Sequence, residues 1–254
     1  MTTLGTAWRI VRPPLAAGGI LAGQMLHAIH RSDLPYLPDQ DPSGRFGDPA
    51  LPPLRITVLG DSSVTAPGVV PLDACWARRV AAHLSDRYRV ELISVARGGS
   101  RVEDVLDGQL GDALATDPDL AWVAVGSNDA LRGTTVARFE EQYAEIVSML
   151  ADAASSVGCS GIGDLGTIPR LPTLVRGVAR VRARSFDNAI ARVVAGHHRA
   201  RKTESWGPQW AMFDTDVSTF ADDLFHASAR GHGLFAELGV IPVVDELLGL
   251  RGVA

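Results

Sequence analysis

Three short apolar runs, each followed by a segment with helical spacing, constrain the fold of this chain more than any other feature. The runs are LRITVLG (54–60), RVELISVA (89–96) and DLAWVAVG (119–126). The segments that follow them contain DACWARRV, SRVEDVL and TVARFEEQ, and their apolar residues recur at the spacing of an amphipathic helix. Such strand–helix units in succession predict parallel strands joined by helical crossovers, with helices on both faces of the sheet.

Two further strands complete the predicted sheet. The stretch GCSGIGDLG (158–166) is interrupted by glycines, but the helix predicted from about Val178 to His198 needs a strand before it. QWAMFDT (209–215) is predicted to be the fifth strand. A chain of 254 residues, 46% of them hydrophobic, can bury the core of one such domain. We therefore expect a three-layer α/β/α sandwich around a parallel five-stranded sheet, in a flavodoxin-like arrangement.

The first 53 residues differ in character from the rest of the chain. Arg9 and Arg12 precede PPLAAGGILAGQMLHAIH, which imitates a signal peptide but is followed by no small-residue cleavage site. A membrane span needs about 20 predominantly apolar residues, and this run meets Gln24 and His27. We expect an N-terminal helix on the domain or on a membrane surface, in a cytoplasmic or peripheral membrane protein. A Pro/Gly-rich connector follows, so residues 54–254 are predicted to form the compact domain.

Charge and cysteine content exclude several classes of function. The formal net charge of −5 gives no reason to expect a nucleic-acid partner. Cys75 and Cys159 do not make a disulfide framework in a chain of this length, and no Cys/His cluster has the spacing of a zinc site. Both cysteines are predicted to be buried thiols, and no metal site is expected.

Polar or glycine-rich segments follow the predicted strands, and they carry the chemistry of the chain. These segments are GDSS (60–63), ARGGS (96–100), GSND (126–129) and, beyond the fifth strand, DDLFH (222–226). The carboxyl ends of parallel strands meet at one edge of an open sheet, where ligands bind. We therefore expect residues that are far apart in sequence to converge there.

The converging residues include every group that an ester-cleaving serine needs. Ser62 would be the nucleophile, His226 its base, and Asp223 the carboxylate that orients the imidazole. Attack on an ester generates an oxyanion, which the backbone N–H groups of Ser62 and Gly99 and the side-chain amide of Asn128 would stabilise. Glycine suits the second position because its backbone can approach a substrate closely.

Neighbouring residues of the same chemical type compete for each of these roles. Asp61, Ser62, Ser63 or Asn128 could cap a helix, and Ser63 could replace Ser62 as nucleophile. In the same way, Gly98 competes with Gly99, His232 with His226, and the carboxylates Asp214, Asp216 and Asp222 with Asp223. The three-residue spacing between Asp223 and His226 favours this pair.

The four segments, taken in order, resemble the SGNH (GDSL-type) hydrolases. The matching blocks are GDSS around Ser62, ARGGSRVEDVL around Gly99, GSND around Asn128, and DLFH with the downstream ASARGHGLFAE around Asp223 and His226. The resemblance runs from about Leu54 to the C-terminus. Within the family, the chain is similar to actinobacterial lipase-like or esterase-like members. The resemblance implies the SGNH hydrolase fold and a serine esterase that acts on a small-molecule ester without a metal or an organic cofactor.

The sequence departs from the family pattern at positions that bear on the substrate. The first block often has a bulkier residue where Ser63 stands, and the last block often has proline where Ala227 stands. The second block commonly carries an asparagine upstream of the glycine, where this chain reads SVARGG. None of these departures removes a catalytic group. A weakly active or inactive relative that binds an acyl or glycan ligand is the second function that this sequence allows.

Overall fold

Residues 33–250, which the computed structural model describes, contain a six-stranded sheet. Its strands are β1 (Gly44–Phe46), β2 (Pro53–Gly60), β3 (Arg89–Ser94), β4 (Leu120–Ala124), β5 (Ser156–Cys159) and β6 (Ala200–Lys202). Their spatial order is β1-β3-β2-β4-β5-β6. Five strands are parallel, and β1 pairs antiparallel with β3 at one edge. The predicted five-stranded parallel sheet is confirmed, with one additional strand.

Helices connect the parallel strands as crossovers, and further helices follow β6. The helices are α1 (Ser62–Thr65), α2 (Trp76–Leu84), α3 (Val102–Gly108), α4 (Leu110–Ala115), α5 (Ser127–Arg132), α6 (Val136–Ala153), α7 (Thr173–Ala195), α8 (Met212–Thr215), α9 (Ala229–Leu234) and α10 (Ile241–Leu247). A π-helical turn, Phe235–Val240, joins α9 to α10. No helix within residues 33–250 is long and apolar enough to span a bilayer.

Two hydrophobic cores lie on opposite faces of the sheet. Successive side chains of a strand point to opposite faces, and in β4 Ala121 and Val123 belong to one core while Leu120 and Trp122 belong to the other. The first core is completed by α6 and α7, and the second by α2 and the C-terminal helices. Both faces of the sheet are therefore covered, as a three-layer α/β/α sandwich requires.

The fifth strand was predicted in the wrong segment. QWAMFDT (209–215) is helical instead, and its residues fall in a 3₁₀ turn at Pro208–Trp210 and in α8. The last parallel strand is β6, which has only three residues and pairs with β5. The predicted helix at 178–198 is α7, which begins at Thr173 and ends at Ala195.

The connector before Leu54 contributes to the sheet. Gly44–Phe46 pairs with residues 90–92 of β3. Asp39 accepts hydrogen bonds from Thr65 Oγ1 at 2.6 Å and from the N–H of Gly98 at 3.0 Å. The predicted division of the chain at residue 54 therefore does not coincide with the edge of the sheet. The predicted N-terminal helix lies outside the described residues.

Both cysteines are buried and unpaired, as the sequence predicts. Burial raises the pKa of the Cys159 thiol to about 12. A thiol with such a pKa is protonated at neutral pH and is a poor nucleophile. The cysteines therefore belong to the two hydrophobic cores rather than to a reactive site.

Candidate active site

The site lies where the chain leaves β2 and β4, two neighbouring parallel strands. The chain passes from β2 to β3, which lies next to β2 on one side, and then returns to β4, which lies next to β2 on the other side. Such a reversal opens a crevice at the carboxyl ends of the strands, where open α/β sheets bind ligands. Ser62 begins the helix after β2, and Asn128 lies in the helix after β4. The two residues therefore flank this crevice.

The turn after β2 presents Ser62 at the start of a one-turn helix. Asp61 is the N-cap of α1, and its Oδ1 accepts a hydrogen bond from the N–H of Ser63 at 2.9 Å. The capping role that Ser62 could have had is thus filled by Asp61. The N–H of Ser62 donates to no acceptor within residues 33–250, so it is free to bind a ligand.

The loop after β3 distinguishes between the two candidate glycines. The N–H of Gly98 donates to Asp39 Oδ2 at 3.0 Å and is therefore occupied. Gly99 has a φ of 76°, in the left-handed region that favours glycine. Its carbonyl accepts a hydrogen bond from Arg132 at 3.1 Å, while its N–H has no partner in the described part of the chain.

Asn128 is buried, with 7% of its surface exposed, and its amide faces both neighbouring loops. Its Nδ2 donates to the carbonyl of Ser100 at 3.1 Å and lies 3.5 Å from Asp61 Oδ2. The N-cap of α5 is Gly126, so Asn128 is not the capping residue. The amide group is held between the turn that carries Ser62 and the loop that carries Gly99.

Gln109 connects the same two loops, although the sequence pattern did not predict a role for it. This fully buried side chain accepts a hydrogen bond from the N–H of Gly60 at 2.8 Å and donates to the Gly60 carbonyl at 3.0 Å. It also donates to Ser100 Oγ at 3.0 Å. A polar residue between the apolar positions Leu106 and Leu110 of a helical pattern is a signal that could have identified it.

Asp223 and His226 form a hydrogen-bonded pair. The Nδ1–H of His226 donates to Asp223 Oδ2 at 2.6 Å. The other carboxylate oxygen of Asp223 accepts from the backbone N–H groups of Phe225 and His226, each at 3.0 Å. Burial raises the pKa of Asp223, but these hydrogen bonds and the charge of His226 outweigh it, so the pKa lies below its usual value. The carboxylate therefore stays ionised beside the imidazole.

The competing aspartates have other positions. Asp216 caps a 3₁₀ turn through Ser218 and pairs with Arg230 at 3.1 Å. Asp214 and Asp222 are exposed. Among these carboxylates, Asp223 is the one that contacts an imidazole in the structure.

His232 is buried in α9 and differs from His226 in its environment. Its Nδ1 accepts a hydrogen bond from the N–H of Trp76 at 3.2 Å. Burial lowers the pKa of His232 to about 3, so the ring is neutral throughout the physiological range. By contrast, 23% of the His226 side chain is exposed.

A cavity of about 420 Å³ brings most of the candidate residues together. Ser62, Asn128, His226 and His232 all line it. Asp223 is bonded to His226, and Gly99 lines a separate groove beside its own loop. The rest of the lining is largely aromatic and aliphatic, which suits a small organic ligand with one reactive polar group.

Asp61 gives the fold an expected pH dependence. Burial raises the pKa of Asp61 from 3.8 to about 6. Because the folded protein holds this proton more tightly than the unfolded chain does, the free energy of unfolding falls as the pH rises from 3.8 to 6. The loss amounts to about 3 kcal/mol and persists above pH 6.

Asp61→Asn is expected to remove this pH dependence, because the amide oxygen can still cap α1 but cannot titrate. Urea unfolding between pH 4 and pH 7 should give a flatter profile for the variant than for the wild type. Asp214→Asn, at an exposed carboxylate on the cavity rim, is the control and should keep the wild-type slope. Parallel profiles for wild type and Asp61→Asn would contradict the prediction.

The chain matches a known protein family and one of its members in sequence. The model of the GDSL-like Lipase/Acylhydrolase family matches residues 58–234. A GDSL-like esterase of Mycobacterium tuberculosis is 26% identical over 97% of this chain and 81% of its own length.

Solved structures share the fold. The α/β hydrolase LAE5 from the metagenome of Lake Arreo has a TM-score of 0.60 at 17% identity, over 80% of this chain and 98% of its own. The acetylxylan esterase Axe2 of Geobacillus stearothermophilus has a TM-score of 0.58 at 15% identity, over the same shares of the two chains. The family match covers all four blocks, from Ser62 to His226, so this chain belongs to the GDSL-like lipase/acylhydrolase family and is a carboxylic ester hydrolase.

Proposed function

We propose that the chain is a serine esterase in which Ser62, His226 and Asp223 form a catalytic triad. The observation that carries this proposal is the 2.6 Å hydrogen bond between His226 and Asp223, together with the presence of Ser62 and His226 in one cavity. With Nδ1 bound to the carboxylate, Nε2 is the nitrogen that remains to act as a base. An ionised Asp223 stabilises the imidazolium that forms.

The reaction would proceed in two halves. In the first, Ser62 Oγ forms a bond to the ester carbonyl carbon while its proton passes to His226 Nε2. The tetrahedral intermediate then collapses, the bond to the alcohol oxygen breaks, and that oxygen takes the proton from His226. In the second half, water attacks the carbonyl carbon of the acyl-serine while its proton passes to His226 Nε2. The bond to Ser62 Oγ then breaks, Ser62 Oγ takes the proton from His226, and the acid is released.

The developing oxyanion would be bound by three donors. They are the N–H of Ser62, the N–H of Gly99 and the Nδ2 amide of Asn128. The two backbone groups have no competing acceptor in the described part of the chain, which supports this assignment. One Nδ2 hydrogen of Asn128 is held by the Ser100 carbonyl, and the other, which makes only a long contact of 3.5 Å with Asp61 Oδ2, would donate to the oxyanion.

Asn128→Ala is expected to lower kcat about 100-fold to 1,000-fold and to change KM far less, because the amide acts on the oxyanion and not on the ground state. Steady-state kinetics on a p-nitrophenyl ester measures both constants. Asn188→Ala, at an exposed position of α7, is the matched control and should behave as wild type. A fully active Asn128→Ala, or one whose loss follows its melting temperature, would argue against the oxyanion role.

A weakly active relative that only binds an acyl or glycan ligand is the second candidate. Labelling with a fluorophosphonate separates the two functions, because the reagent needs an activated serine. We expect one phosphonyl group per chain, on Ser62, by intact mass and peptide mapping. A folded chain that takes up no label would favour the binding function.

Contact between the N-terminal segment and a membrane surface stays a prediction.

A further inference from the structure

We propose that the cavity binds the acyl chain of a medium-chain ester, of about eight carbons, and that Gly239 sets the length that fits. This inference rests on the proposed function, because it takes Ser62 as the point where the acyl group is attached. It adds the substrate class, which neither the four sequence blocks nor the fold specifies.

The cavity extends along the sheet well beyond the serine. Residues that follow four strands line the cavity: Ser62 after β2, Asn128 after β4, Ser160 after β5 and Thr203 after β6. These strands are neighbours in that order. Because adjacent strands lie about 4.8 Å apart, the lining spans roughly 14 Å from the first strand to the last. An extended chain attached to Ser62 has room along this edge.

The part of the cavity next to Thr203, which follows β6, has a largely apolar lining. We call this region the β6 end and define it by Thr203, Trp206, Trp210, Gly239 and Val240, all of which line the cavity. In this wall the Trp210 ring packs against the Phe235 ring, with centroids 6.2 Å apart. Thr203, Gly239 and Val240 are buried.

Polar groups around the β6 end are nearly all bonded within the protein. The hydrogen bonds are Thr203 Oγ1 with Gly161 N (2.9 Å) and Ser205 Oγ (3.3 Å), Ser160 Oγ with Trp122 Nε1 (2.9 Å), and Trp206 Nε1 with Ile162 O (2.8 Å). The exception is the Trp210 indole N–H, which has no partner among the described residues. One donor cannot replace the several hydrogen bonds that a sugar makes with water, whereas an acyl chain needs none. The β6 end therefore fits an acyl chain better than a glycan.

Gly239 leaves space at this end that a side chain would fill. A Cβ at this position would lie 3.5 Å from Trp210 Cη2 and 3.7 Å from Thr203 Cβ, which are ordinary contact distances. The φ of Gly239 is not in the left-handed region, so the backbone does not require glycine. A longer side chain would have to find room beside Trp210 and Thr203, which already contact this Cβ. The missing side chain thus provides cavity volume rather than backbone freedom.

The size of the cavity indicates the chain length. At about 30 Å³ per water-sized group, 420 Å³ holds about fourteen non-hydrogen atoms. That number of atoms corresponds to an ester group, an acyl chain of about eight carbons and part of the alcohol. Since His226 would protonate the leaving alcohol, the alcohol lies beside His226 and the acyl chain occupies the rest of the cavity.

The test is the specificity constant of the whole chain on p-nitrophenyl acetate, butyrate, octanoate and dodecanoate. Each buried methylene is expected to raise kcat/KM up to about fourfold, so octanoate should exceed acetate and butyrate. Dodecanoate should fall below octanoate because its last carbons exceed the cavity. A preference for acetate, with activity that falls as the chain lengthens, would overturn the inference.

Gly239→Leu should reduce the octanoate-to-acetate ratio by about tenfold or more, because its branches enter the gap that the acyl chain uses. Gly177→Leu in α7, where a Cβ would meet open space, is the matched control and should keep the wild-type ratio. Trp210→Ala opens the same gap from the opposite side and should move the optimum towards dodecanoate. This second variant tests the inference even if Gly239→Leu does not fold.

Three outcomes would contradict the inference in distinguishable ways. An unchanged ratio in folded Gly239→Leu and in Trp210→Ala would show that the β6 end does not bind the substrate. A chain-length preference seen with alkyl acetates but not with ethyl alkanoates would place the alcohol, not the acyl chain, in the cavity. If the folded wild type hydrolyses none of the esters and takes up no fluorophosphonate, the proposed function itself fails.

Discussion

Ser62→Ala is expected to abolish ester hydrolysis, with a loss in kcat on the order of a millionfold. The reason is that, in the proposed mechanism, no acyl-enzyme forms without Ser62 Oγ, and the remaining donors assist only the direct attack of water. Initial rates on p-nitrophenyl butyrate measure the loss down to the background rate. The melting temperature should change little, because the Ser62 side chain is partly exposed in the cavity.

Ser63→Ala is the matched control, since the neighbouring hydroxyl belongs to the same turn. Ser63 contributes two backbone contacts that survive the substitution: its N–H donates to Asp61, and its carbonyl accepts from Trp76 Nε1 at 2.7 Å. We expect most of the wild-type activity to remain. Equal losses in the two alanine variants would reject Ser62 as the nucleophile.

The sequence predicted the central strands well because their apolar patterns are intrinsic to the segments. β4 is apolar and fully buried, β2 is mostly so, and β3 alternates the buried Val90 and Leu92 with the charged Arg89 and Glu91. β1 and β6 have three residues each, GRF and ARK, and form because a neighbouring strand supplies the hydrogen bonds. A strand this short and polar shows no detectable periodicity of apolar residues.

The wrong strand in residues 209–215 has a different cause. Its apolar residues are buried in part because Trp210 and Phe213 line the ligand cavity and pack on other aromatic rings. A segment that covers a cavity and a strand that covers a core have similar apolar composition. Periodicity over seven residues does not separate them.

The candidate site was predictable to the extent that it depends on which residues follow the strands. The position of Ser62 and Asn128 at one cavity follows from parallel topology, whereas His226 reaches the cavity on a loop well after the last strand. The choice between the two glycines does not follow from topology either, because it depends on Asp39, which occupies the N–H of Gly98. Contacts between distant segments decide such details, and no local pattern encodes them. The bonds of Gln109 to two loops are equally non-local, and its polar position in an apolar helical pattern was the one local signal of them.

His226→Ala is expected to lower kcat by about ten-thousandfold or more, because the proposed triad then lacks the base that takes the proton of Ser62. Asp223→Ala should also be severely impaired. The carboxylate holds Nδ1 at 2.6 Å, and without it the imidazole loses both its tautomer and its orientation. In both variants the defect should lie in kcat, measured well below the melting temperature of each protein.

His232→Ala is the control that separates catalysis from structure, because this ring lines the same cavity. It accepts a hydrogen bond from the N–H of Trp76 and contacts Phe235, so its removal should lower stability. Its pKa of about 3 makes it a poor acceptor for the proton of Ser62, so kcat at low temperature should stay within about tenfold of wild type. If instead His232→Ala is inactive while folded and His226→Ala retains activity, the base is His232 and the Asp223–His226 pair is structural.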